Sequence, residues 1–210
     1  MKNRQRLLTL LAIFVFVVLP LLASSRIVHR WVLTGVPMPP MKKILVIAVL
    51  ENYLVRQEFE EQMEKLLAKN GVEGIQSHMV LPPRNEMMEG ELKQRIKESD
   101  VNGVLIVRPV AVRKESEEVI TGGIWVPPPG YYNLYPYWNM AYGSFYPTSS
   151  YTKESTIVRA DFNLYNVTDE KLVWCGETDT VYSKDFDKLG KEYAQLLVKQ
   201  LKKDKVIGKK

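Results

Sequence analysis

The side chains able to do covalent or metal chemistry are few and lie far apart. Histidine occurs twice, at His29 and His78, and cysteine once, at Cys175. A zinc site needs three or four His, Cys or carboxylate ligands at workable spacing, and these residues do not supply one. Ser77 and His78 are neighbours, but in the strand expected there they point to opposite faces. That is no nucleophile and base. Cys175 follows Trp174 with no lysine, arginine or histidine beside it to lower its pKa, so a packed, inert thiol is expected. Glu177, Asp179, Asp185 and Asp187 lack the loop pattern of a calcium site and read as a solvated strand end. Neither Gly122-Gly123 nor Gly71-Val72-Glu73-Gly74 puts a glycine-rich loop and a lysine at a helix start, as a phosphate site requires. The residues therefore point to no catalytic group, no metal and no cofactor.

One segment is unusual enough to serve as a contact surface. Gly122 to Tyr151 is without charge and carries Trp125, Tyr131, Tyr132, Tyr135, Tyr137, Trp138, Tyr142, Phe145, Tyr146 and Tyr151 among several prolines. No period of a strand or helix runs through it. Disorder goes with charge and few aromatics, the opposite composition. Tyr and Trp bury a flat apolar face while the O–H or N–H still finds a partner, which suits protein interfaces and sugar rings. Three readings follow: the segment folds over its own sheet as core, it contacts a protein or the cell wall, or it enters a membrane interface.

The first residues are a leader. Lys2, Arg4 and Arg6 precede Leu7 to Ala23, a run without charge, and Ala23-Ser24-Ser25 closes it with small residues. A basic start, apolar middle and small end form the pattern of an export signal. Residues 1–25 are expected to be a cleaved signal peptide or an uncleaved N-terminal anchor, with the rest of the chain in the periplasm. Leu22-Ala23-Ser24-Ser25 resembles a bacterial lipobox whose last position holds serine in place of the acylated cysteine, so thioether lipidation is excluded there.

The whole chain has 29 Lys+Arg against 24 Asp+Glu, a net charge of +5. Three of those bases belong to the leader, so the remainder is nearly balanced and its pI is no nucleic-acid footprint. The lysines near the C-terminus read as a solvated helix end. With a single cysteine there is no intramolecular disulfide.

Residues 26–41, with Pro37, Pro39 and Pro40, read as a linker holding the domain off the membrane. The domain at 42–208 opens with KILVIAVL (43–50), a strand buried on both faces. An amphipathic helix follows, using Leu54, Phe59, Met63, Leu66 and Leu67 and stopped by Asn70-Gly71. A weaker strand spans 72–80, a helix with Met88, Leu92 and Ile96 spans 85–99, and a buried strand starts at Val101 and bends near Pro109. Thr156 to Tyr165 alternates, with Val158, Ala160, Phe162 and Leu164 on one face and Arg159, Asp161 and Asn163 on the other. It pairs with Lys171 to Tyr182 as a hairpin. A last helix at 184–203 presents Phe186, Leu189, Tyr193, Leu196, Leu197 and Leu201, and Trp174 is expected to pack beneath it. The fold class is α/β (α+β): a single domain with a mixed sheet and helices packed on it, in the order β-α-β-α-β-β-β-α, with an aromatic-rich insertion at 122–151.

The stretch KKILVIAVLENYLVRQEFEEQMEKLLAKNGVE and the hairpin STIVRADFNLYNVTDEKLVWCGETDT resemble small bacterial envelope lipoproteins of unknown function. Their α/β domain is similar to the TolB N-terminal domain and to curli-secretion lipoproteins. The likeness covers roughly residues 42–205 and implies a non-catalytic accessory protein working through envelope-protein or cell-wall contacts. No functional residue comes with it, and Ser25 departs from the lipid-anchored pattern. The alternative from another class is a cell-wall or glycan hydrolase using the aromatic segment as substrate platform, with carboxylates converging beneath it.

Overall fold

A computed structural model describes residues 25–35, 40–82, 87–114, 129–143, 156–181 and 186–208. Ten elements carry the fold: β1 (Ser25–Val32), β2 (Lys43–Ala48), α1 (Tyr53–Ala68), β3 (Glu73–Gln76), α2 (Glu89–Glu98), β4 (Gly103–Lys114), α3 (Leu134–Gly143), β5 (Thr156–Asn166), β6 (Leu172–Val181) and α4 (Phe186–Lys203). They build one mixed sheet in the order β1-β6-β5-β4-β2-β3, the α+β class expected. β2 runs parallel to both β3 and β4, while β4–β5, β5–β6 and β6–β1 are antiparallel. One end of the sheet, called upper here, therefore gathers the finish of β2, β3, β4 and β6 and the start of β1 and β5.

Both faces are covered. On the first, α1 and α4 bury Phe59, Met63, Leu67, Leu197 and Leu201 against Ile44, Val46, Leu105, Phe162 and Leu164. The alternation of β5 explains this, since its even-numbered apolar residues all turn to that side. On the second, Leu92 and Ile96 of α2 join Leu134, Tyr135, Tyr137 and Trp138 over Leu45, Ile47, Ile106, Tyr165 and Cys175. Fully burying a large apolar side chain is worth about 1.5–3 kcal/mol, so each layer holds the sheet substantially.

Four local features depart from the sequence expectation. Arg26 to Val32, within the expected linker, belongs to β1, which pairs with β6 from Ser25↔Thr180 to Val32↔Trp174. The charge-free segment contains a helix, α3, whose Pro136 sits in the first turn, where the missing N–H costs no hydrogen bond. The strand expected at 72–80 is β3 alone, and Ser77 to Met79 form a 3-10 turn. Leu54 and Met88, expected on apolar helix faces, are exposed at 67% and 81%. The bend near Pro109 is a register shift between Pro109 and Ala111, where β2 no longer flanks β4. A second shift places Val173 opposite no partner, with Leu164 facing Trp174 and Tyr165 facing Leu172. This bulge puts Val173 and Trp174 in the same core, beside Tyr193 and Leu197, and sends Leu172 to the other. Trp174 is thus packed on the side of the last helix, as expected, while Leu172 turns to the opposite face.

Candidate functional site

The polar residues of β4, β5 and β6 on the second face meet the aromatic layer around Asp161. In the ladder Arg108 lies opposite Asp161, and Asp161 opposite Glu177, which in turn faces His29 of β1. This row crosses four strands because each residue occupies the same face at matching register. Asp161 is 1% exposed. The Tyr131 hydroxyl donates a short hydrogen bond to its Oδ2, and Arg108 Nη2 stands 3.6 Å from that oxygen. Arg108 also donates through Nε to the Tyr137 hydroxyl at 3.1 Å and through Nη2 to that of Tyr131 at 3.3 Å. Its guanidinium lies 5.2 Å from the Tyr137 ring centre, and the Tyr131 and Tyr137 rings meet edge to face at 4.9 Å.

Burial raises the Asp161 carboxyl to about 6, against the opposing effects of the Tyr131 hydrogen bond and the Arg108 charge. Among the described residues its Oδ1 has no hydrogen-bond partner. Asn163, next on the same face, sets its amide against the Tyr137 hydroxyl without a hydrogen bond of normal geometry. Burial also pushes the Tyr131, Tyr137, Tyr165 and Cys175 groups upward, and Tyr135 to about 12. Cys175 is fully buried, so its thiol is a core group and no nucleophile.

Toward the upper end the row continues as ion pairs. Arg159 donates to both oxygens of Asp179, at 2.8 and 3.0 Å, and approaches Glu177 at 3.7 Å. Asp179 is 4% exposed and Glu177 half-buried, which corrects the expected solvated strand end. Asp179 is held inside by Arg159, which stands opposite it on β5, and Glu177 has Arg159 and His29 on its two neighbouring strands. Asp185 and the Asp187 side chain lie outside the described residues.

The aromatic residues divide by position. Tyr131, Tyr135, Tyr137 and Trp138 are buried and act as core, which removes their rings from an exposed contact surface. Tyr132 is half-buried, edge-on to Trp31 at 6.1 Å. Trp125, Phe145 and Tyr146 and the side chain of Tyr142 lie outside the described residues. The segment is pinned at the lower end by Leu134 N to Glu170 O and Leu172 N to Tyr132 O, both 3.1 Å.

A second buried carboxylate went unsignalled in the sequence. Glu60 of α1 accepts from Ala48 N at 2.9 Å, Ser77 N at 2.8 Å and Ser77 Oγ at 2.7 Å. It ties the end of β2 to the turn after β3. Burial pushes its carboxyl up, while these hydrogen bonds and Arg56 pull it down. Glu60 follows Phe59 in the apolar spacing Phe59, Met63, Leu67 just as Glu64 follows Met63, so the sequence does not single it out. His78, in the 3-10 turn and half-buried, is not paired with Ser77, whose hydroxyl is spent on Glu60. Among the described residues no group of three or more His, Cys, Asp or Glu is placed to hold a metal ion.

No protein-family model and no curated protein sequence matches the chain. Solved structures do. A PelC dodecamer from Paraburkholderia phytofirmans shares 10% identity over 84% of this chain and 95% of its own, at a TM-score of 0.42. A PDZ domain protein from Parabacteroides distasonis shares 11% over 85% of this chain and 36% of its own, at 0.44. Lipoprotein GNA1162 from Neisseria meningitidis shares 13% over 77% and 99%, at 0.40. No family is shown at these values.

Proposed function

We propose that this chain is an exported, non-catalytic module of the bacterial envelope that acts by contact with an envelope protein or the cell wall. Export is supported by the leader at 1–25, and its serine at position 25 argues for a protein without thioether lipid, periplasmic or held to the inner membrane by the leader. The contact role is supported by one observation above all: the chemistry-bearing side chains on the sheet are spent inside it. Asp161 is bound by Tyr131 and Arg108, Asp179 by Arg159, Glu60 by backbone N–H groups, and Cys175 is enclosed. With both sheet faces covered, contact falls to the ends of the sheet, to its edge strands β1 and β3, and to those aromatic residues that lie outside the described core.

The hydrolase reading keeps one observation in its favour. Asp161 does lie beneath Tyr131, with Glu177 across the ladder from it and a carboxyl that titrates near 6, and glycoside hydrolysis uses two such acids. Incubation with purified peptidoglycan, followed by chromatography of the soluble fragments, separates the two. No released muropeptide is expected. Release by the native protein that disappears in Asp161→Asn and Glu177→Gln would establish the hydrolase and overturn the contact module.

A further inference from the structure

Tyr131, Tyr137 and Trp174 spend their polar groups inside the fold, on Asp161, Arg108 and Asp204. Two other rings do not. Trp31, on the edge strand β1, stands opposite Cys175 and so turns to the second face at the outer margin of the sheet. Tyr132 follows the 3-10 turn Pro129–Tyr131, and its carbonyl accepts from Leu172 N at 3.1 Å. These anchors, on neighbouring parts of the sheet, bring the two rings to 6.1 Å and 89° of each other. Each is half-buried, so part of each reaches solvent. Among the described residues neither the Trp31 N–H nor the Tyr132 hydroxyl has a hydrogen-bond partner.

The groups beside this pair are polar and exposed. Asn133 follows Tyr132 and is bridged through its backbone to Lys171, just before β6. Both side chains are exposed, and among the described residues neither is hydrogen-bonded or ion-paired. Asp169, exposed in the same turn as Lys171, offsets its charge, and Glu170 is drawn to Lys93 at 3.4 Å. The patch therefore has no excess charge to attract a polyanion or an anionic bilayer. Two half-buried rings also expose far less apolar area than the roughly 800 Å² per partner of an ordinary protein interface. Their chemistry matches a sugar. A pyranose lays its apolar C–H face on an aromatic ring, and its polar rim then meets a few placed donors and acceptors. Rings at right angles offer walls to both the face and the edge of one sugar unit. The Asn133 amide both donates and accepts, as an acetamido group requires of its partner, and the Lys171 ammonium donates to hydroxyls. We infer that Trp31, Tyr132, Asn133 and Lys171 form a binding site for an uncharged, N-acetylated glycan strand. This deepens the contact function and rests on that reading, taking the cell wall as the partner.

The test titrates the full chain, held in detergent micelles, with chitotetraose, the tetramer of N-acetylglucosamine. Nitrogen–proton correlation spectra follow the indole N–H signals, and the one lost in Trp31→Phe belongs to Trp31. That signal is expected to shift saturably, while the signal of the enclosed Trp174, identified by Trp174→Phe, stays in place. Tyr132→Ala and Asn133→Ala are expected to weaken binding about tenfold each, and Lys171→Ala several-fold. Asn133 and Lys171 are exposed, so their variants should melt with the native protein and keep the comparison sound if Tyr132→Ala loosens the fold. Binding at native strength in all three variants overturns the inference, because the glycan then lies elsewhere on the protein. Absence of tetramer binding overturns it too. Sedimentation with purified peptidoglycan separates the two readings: a chain that sediments without binding the tetramer loses only this site, and one that does neither loses the cell-wall contact as well.

Discussion

Asp161 contributes to the pH response of the fold, in the same direction as Glu60 and Glu177, whose carboxyls burial also raises. Its folded carboxyl titrates near 6 against an ordinary 3.8, so between these values the folded state holds a proton that the unfolded chain has released. Stability from this residue therefore increases as pH falls from 7 toward 5 and is lost as pH rises through 6. At 1.36 kcal/mol per unit, the full span is roughly 2–3 kcal/mol. Asp204 works the other way: burial raises its carboxyl, but hydrogen bonds from Gln200, Trp174 and Arg30 outweigh that and hold it below its usual range. That contribution is lost only in more acid solution. Melting temperature is expected to be higher at pH 5 than at pH 7, and Asp161→Asn is expected to flatten the difference. An unchanged slope in the variant would assign the effect elsewhere. Trp174 gives the second residue-scale prediction. It is fully buried and donates through Nε1 to Asp204 at 2.8 Å. Trp174→Ala should cost about 3–5 kcal/mol, Trp174→Phe visibly less, by denaturant titration. Cys175 belongs to the other core, with Tyr165 and Leu172. The thiol is enclosed by core, so a hydroxyl there is expected to cost on the order of 1–3 kcal/mol.

At the scale of elements, what the sequence made legible was periodicity. α1, β5 and α4 repeat at 2.0 or 3.6 residues, β2 and β4 stand out as continuous apolar runs, and each of these elements and β6 forms within a few positions of expectation. β1 and α3 were hidden for different reasons. Ile27, Val28 and Trp31 stand among Arg26, His29 and Arg30, and Pro37 to Pro40 make the neighbourhood look like a spacer, so only pairing with β6 reveals the strand. In α3, Pro136 and the dense aromatics mask a helix that tertiary contact with Tyr165 and Leu172 secures. The candidate site was half legible: alternation placed Arg159, Asp161 and Asn163 on one face, but their burial depends on Arg108 and Tyr131, far away in sequence. The bulge at Val173 was invisible for the same reason. It makes Gly176 critical, because a Cβ there would stand 2.6 Å from the Trp174 ring. Gly176→Ala is expected to destabilise by about 1–3 kcal/mol, whereas Gly90→Ala in α2, with open space around it, should stabilise by about 0.5–1 kcal/mol. Equal melting temperatures for the two would contradict this packing.

At the scale of the whole molecule, the absence of lipid is the plainest expectation. Cells fed labelled palmitate should leave the native protein unlabelled, while Ser25→Cys should acquire label and move fully to a membrane fraction. Label on the native chain would refute the reading of position 25. The strand order carries a consequence for how the chain is made. β1 is the first part of the fold to emerge during synthesis, yet its sole neighbour in the sheet is β6, and Arg30 pairs with Asp204 beyond the end of α4. Nearly the entire chain must therefore exist before its opening strand can find a partner. Contacts so distant in sequence slow folding, and until they close, β1 is an unpaired hydrophobic edge open to aggregation or proteolysis. A ribosome stalled before β6 would leave a nascent chain that is protease-sensitive at Ile27 to Trp31.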